Sequence, residues 1–113
     1  MNGRRSEGLA GPGPDPTGAW IHAFEEDTPD AAVYRPAEHP FRPARRPRRR
    51  LEFRADGTFA ERRPGPDDRL YEIRGRWERQ GPGRIAVSFP GGGGTAFGIT
   101  VLSRSGDRLE VAR

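Results

Sequence analysis

Along Tyr71-Glu72-Ile73-Arg74-Gly75-Arg76-Trp77-Glu78, apolar or small side chains alternate with charged ones, and the same period of two recurs along the chain. Such a period sorts side chains onto the two faces of an extended strand, whereas a helix needs apolar residues three and four apart. No stretch holds helical spacing over three turns. Short alternating runs at 20–24, 32–34, 50–54, 58–62, 71–78, 85–89, 97–101 and 109–111 are instead separated by Gly, Pro and Asp clusters. Ala55-Asp56-Gly57-Thr58 between two of them reads as a hairpin turn. One parity carries Trp20, His22, Phe24, Leu51, Phe53, Phe59, Glu61, Tyr71, Ile73, Trp77, Ile85, Val87, Phe89, Phe97, Ile99, Val101, Leu109 and Val111. The other carries mostly Arg and Glu, which can pair across strands on a wet surface. A sheet with one wet and one dry face is antiparallel. One this small buries its dry face best by closing on itself. The expected fold is all-β: an eight-stranded antiparallel up-and-down barrel.

Composition sets the limits of that domain. The 113 residues hold 16 Gly and 12 Pro, with a net charge of +4. Residues 1–16 contain Gly, Pro and charge with a single Leu, too little apolar surface to offset ordering entropy. They are expected to form a disordered tail, with the barrel domain spanning 17–113. No run approaches the length of a membrane span, and the first residues lack the apolar core of a secretory signal. With no cysteine there is no disulfide framework, thiol nucleophile or thiolate metal site, so the expected compartment is the cytoplasm. All 20 basic residues are Arg, a bias that codon usage in a GC-rich genome explains without any anionic partner. A closed barrel has no free edges, so a monomer is expected.

Three polar groups share the inward parity: His22, Glu61 and Tyr71. An inward carboxylate must pair or have its pKa raised, and His22 is a residue that could supply the partner for Glu61. Such a pair can anchor a ligand, perform acid–base chemistry, or serve as a satisfied internal contact. Only two histidines exist, and Glu25-Glu26-Asp27 lacks the frame of a calcium loop, so neither metal nor cofactor is implied. Arg42 to Arg50 places six Arg in nine residues, a basic arm able to meet phosphates or simply a solvated loop. In a plain meander, the compact loops 27–32, 55–58, 79–83 and 103–107 share one end. The longer loops 35–49, 63–69 and 90–94 then gather where the first strand begins.

Gly18-Ala19-Trp20 at the start of the first strand, with the remaining strands behind it, resembles the lipocalin-like (calycin) barrels. The stretch from Trp20 through Phe53-Arg54-Ala55-Asp56-Gly57 to Gly75-Arg76-Trp77 is similar to small bacterial proteins of that type. The resemblance implies that Trp20 closes the base of the barrel beneath an Arg from near the chain end, Arg108 or Arg113. It also implies an interior that receives a small molecule.

These readings converge on binding of a small apolar or aromatic molecule. Trp20, Phe53, Tyr71, Trp77 and Phe89 are expected to line the wall, with His22 and Glu61 as polar anchors. Two alternatives stand beside it. One is nucleic-acid binding through Arg45, Arg46, Arg48 and Arg49. The other is a small barrel enzyme using acid–base residues of the lumen, His22 with Glu61 or Tyr71, for which nothing names a substrate.

Overall fold

Eight strands follow the alternating runs in the computed structural model, which describes residues 13–67 and 69–113. They are β1 (Gly18–His22), β2 (Ala31–Arg35), β3 (Arg50–Phe53), β4 (Thr58–Pro64), β5 (Leu70–Gly81), β6 (Arg84–Ser88), β7 (Phe97–Ser105) and β8 (Arg108–Ala112). A single 3-10 turn, Phe24–Glu26, follows β1. Every ladder is antiparallel and the sheet closes into an up-and-down barrel. Among the described residues, no helix is long and apolar enough to cross a membrane. The tail expected over 1–16 lies mostly outside the described residues. Packing nonetheless begins before Thr17: Pro16 is buried, and its carbonyl accepts a hydrogen bond from the Trp20 indole at 2.9 Å.

From β3 to β8 the strands are neighbours in chain order, but the ring reads β1-β2-β8-β7-β6-β5-β4-β3. β1 is flanked by β2 on one side and β3 on the other, so both run opposite to it and parallel in direction to each other. The connection 36–49 must therefore cross outside β1. Its passage explains a buried residue on the wet parity: Ile21 points outward yet is buried, with Ala37 beside it. The crossing also corrects the expected grouping of loops. Loops 23–30, 65–69 and 89–96 and the end of 36–49 lie at one end, the mouth. The tight turns 54–57, 82–83 and 106–107 lie at the other, the base where β1 begins.

Local chemistry makes those base turns tight. In the β3–β4 turn, Gly57 has φ +89°, and Asp56 Oδ1 accepts from both the Thr58 amide and hydroxyl. Gly18 has φ +132°, and a side chain there would meet the Trp20 indole at 3.3 Å. The core is the expected dry parity: Trp20, Leu51, Phe53, Phe59, Ile85, Val87, Phe89, Val101, Leu109 and Val111 pack with Tyr34. Phe53 and Phe59 lie 5.1 Å apart, Phe53 and Trp77 5.8 Å, Phe59 and Phe89 6.0 Å, spacings of interlocked aromatic rings. The interior is thus occupied by its own side chains, as barrels of this strand number permit.

A β-bulge between Val101 and Ser103 shifts the alternation of β7 by one residue. Arg104 then pairs opposite Leu109, on the inner side, and its guanidinium lies 5.0 Å from the Trp20 ring centre. It also donates to the carbonyls of Asp15 and Thr17. The Arg over Trp20 is therefore Arg104, not Arg108 or Arg113. Arg108 pairs with Glu110, and Arg113 reaches the Thr28 carbonyl at the mouth.

Truncation of the central ring is expected to cost most. Phe59→Ala should lower the unfolding free energy by about 3–5 kcal/mol, because Phe59 is fully enclosed. Leu102→Ser, at a half-exposed residue within the bulge, should stay within about 0.5 kcal/mol of the parent. Urea midpoints of the two variants check this; equal losses would show that the barrel interior does not carry the stability.

Candidate functional site

The mouth is built by four segments. β1 ends there with His22, the 3-10 turn supplies Phe24, β4 supplies Glu61 and Arg63, and the end of the crossing connection supplies Arg46, Pro47 and Arg49. Together they enclose an open cavity of about 700 Å³ whose wall is mainly apolar. A smaller hollow of about 210 Å³ lies on the outer wall of β1, β3 and β4.

Alternation along β4 turns Glu61 inward, and it is 1% exposed. Arg49 donates Nε to its carboxylate at 2.6 Å, and Arg63 approaches with Nε at 3.1 Å and Nη2 at 3.3 Å. A buried carboxylate is stable only when its lone pairs are met this way. The Arg49 guanidinium also faces Tyr34. Burial pushes the Tyr34 phenol up, against the opposing pull of that cation.

His22 takes a different partner from the one expected. Its Nε2 meets Asp27 at 2.9 Å, and Asp27 also accepts the Val33 amide at 2.9 Å. The imidazole stacks on Tyr34 at 4.8 Å and meets Phe24 edge-on at 5.9 Å. The expected His22–Glu61 pair therefore does not form: each group stands at the mouth with a partner of its own. Glu61, held between two guanidiniums, has little lone-pair capacity left for acid–base work.

The acidic run after β1 is where sequence reasoning looked for calcium and missed three internal ties. Asp27 fixes His22, Glu26 pairs with Arg35 at 2.7 Å, and Glu25 receives Arg48 through both terminal nitrogens. Arg48 also donates to the His22 carbonyl at 3.0 Å and stacks over Phe24 and Phe41, at 4.5 and 4.9 Å. It rivets the crossing connection to the barrel. Of the four arginines expected to meet nucleic acid, Arg48 and Arg49 are thus engaged within the protein. Arg45 is exposed, and Arg46 lies over the Phe24 ring at 4.1 Å.

The remaining residues expected to line a ligand site lie elsewhere. Trp20 seals the base, and Phe53 and Phe89 are buried in the packed core. Trp77 packs on Phe53 near the base, its indole donating to the Arg54 carbonyl at 2.8 Å. Tyr71 departs from its expected inward position. It is 48% exposed and donates to Asp67 at 2.9 Å, because this end of the long strand β5 stands beyond the packed interior. Among the described residues, no group of three or more His, Cys, Asp or Glu could hold a metal. No protein-family model, curated protein or solved structure matches the chain.

Hydrogen bonds from Arg48 hold Glu25 down to about 2, below its ordinary 4.5. The unfolded chain takes up that proton first, so the tie stabilises the fold above about pH 4.5 and fades as pH falls toward 2. Arg48→Ala should be less stable than the parent at neutral pH, and the gap should narrow through that window. Whatever gap persists in acid belongs to packing on Phe24 and Phe41 and to the hydrogen bonds Arg48 gives the His22 and Arg42 carbonyls. Urea midpoints across a pH series test this; a gap constant through the window would dismiss the electrostatic part.

Proposed function

We propose that the protein binds a small molecule with an apolar or aromatic body, seated in the mouth rather than deep in the barrel. The supporting observation is the 700 Å³ cavity over a filled interior, a size ordinary for small-molecule sites. Phe24 and Pro47 offer apolar wall; His22 and Glu61, the anchors expected on sequence grounds, line the same cavity but are already paired, His22 to Asp27 and Glu61 to Arg49 and Arg63. Trp20, Phe53, Trp77 and Phe89 act in this reading as the rigid floor and plug. A lipocalin-like ancestry is compatible with the closed barrel, with the binding site displaced toward the rim. A cytoplasmic location is the matching proposal for a chain without cysteine. Nucleic-acid binding is the weaker reading, since internal pairing removes Arg48 and Arg49 from the basic run.

Backbone and indole resonances distinguish mouth from lumen. Titration with naphthalene- or indole-sized aromatics should move the amide signals of His22, Phe24, Arg49 and Glu61. The indole signals of Trp20 and Trp77 should stay still. Phe24→Ala should weaken binding about fivefold, on the order of 1 kcal/mol. Shifts centred on the two indoles, or no saturable shift with any compound, would reject the mouth as the site.

A further inference from the structure

We infer that the molecule taken at the mouth carries one anionic group, held by Arg46 and Arg63 beside the Glu61 carboxylate. The inference rests on the mouth being a binding site and names the class of its ligand: a monoanion with an apolar body. Three guanidiniums, of Arg46, Arg49 and Arg63, line the cavity against the single carboxylate of Glu61. Their charges do not cancel, and the next carboxylate, that of Asp27, is turned to the His22 imidazole and the Val33 amide rather than to these guanidiniums.

The three cations are not equally free. Arg49 gives Nε to Glu61 and faces Tyr34. Arg63 spends Nε and Nη2 on Glu61, leaving Nη1. Arg46 has no acidic partner among the described residues, and the Phe24 ring beneath its guanidinium engages it from one face. A guanidinium keeps all five donors in its plane, so stacking on a ring leaves them available to a carboxylate. Phe24, which Arg48 also approaches at 4.5 Å, thus fixes the Arg46 cation at the cavity wall.

The same geometry selects against a polyanion. Six Arg occur between 42 and 50, but Arg48 and Arg49 are neutralised by Glu25 and Glu61. The acidic Glu25-Glu26-Asp27 turn borders the cavity at Phe24. A concave site of this volume surrounds one group and its body, and the paired Arg48 and Arg49 interrupt the run of cations a phosphate chain would follow.

Calorimetry with the full chain and three compounds of one shape tests the assignment: naphthoate, its carboxamide and naphthylmethylamine. Naphthoate should bind about tenfold more tightly than the carboxamide, with the amine weakest and the preference shrinking as salt rises. Arg46→Gln should remove most of the naphthoate advantage over the carboxamide and leave the melting temperature unchanged. Arg76→Gln, on the outer wall, should alter neither affinity. Equal affinity for naphthoate and carboxamide overturns the anion assignment while the mouth remains a site. Failure of all three compounds to bind removes both. An equal loss in the Arg46 and Arg76 variants reduces the preference to diffuse surface charge and overturns the assignment. So does displacement of naphthoate by a short DNA oligonucleotide in a manner abolished by Arg42→Gln with Arg45→Gln.

Discussion

β1 is hydrogen-bonded on both sides, to β2 and to β3, and that double pairing dictates the layout of the molecule. Two strands antiparallel to the same neighbour point the same way, so the chain between them must travel the length of a strand. The connection 36–49 makes that journey across the outer face of β1 and buries Ile21 beneath it. Its arrival at the start of β3 brings Arg46, Pro47, Arg48 and Arg49 to the mouth. The long connections therefore collect at one end and the tight turns at the other. A plain meander would have put the long loops over Trp20.

Each end of the barrel then solves a different burial problem. At the base, a flat aromatic closes the hole, and Arg104 and residues 15–17 cover it with hydrogen bonds and ring stacking. At the mouth, two inward polar side chains have to be satisfied. Glu61 is met by two guanidiniums and His22 by Asp27. Removing either partner strands a group whose desolvation is costly, so the polar network holds the mouth in one arrangement. Arg48 adds the mechanical link, clasping Glu25 while it lies against two aromatic rings.

The period of two made the face of nearly every side chain legible, including the unusual inward positions of His22 and Glu61. It does not encode depth. Tyr71 follows the inward parity but stands half-exposed beyond the packed interior. Nor does it encode neighbours: the pairing of β2 with β8 joins Ala31 to Ala112, and nothing local to either residue announces that. The bulge in β7 hid Arg104 for a related reason, since one extra residue inverts the parity beyond it. The partners of the acidic run were invisible because Glu25 meets Arg48 and Glu26 meets Arg35 only once the connection has crossed. The number of arginines, whatever its origin, says nothing of where these ones sit.

β3 to β8 form a continuous sheet of sequential neighbours, whose contacts are short-range and need little loop closure. The β1–β2 hairpin must slot between β3 and β8, and β2 finds its partner at the far end of the chain. Long-range pairing of this kind is entropically the most demanding contact to make. An open sheet lacking that hairpin has the dry face but no rim, since His22 and Phe24 would have no fixed place opposite Glu61. The mouth of the molecule thus comes into existence only with the last stitch of the ring, and a chain arrested one step earlier offers two raw edges instead of a vessel.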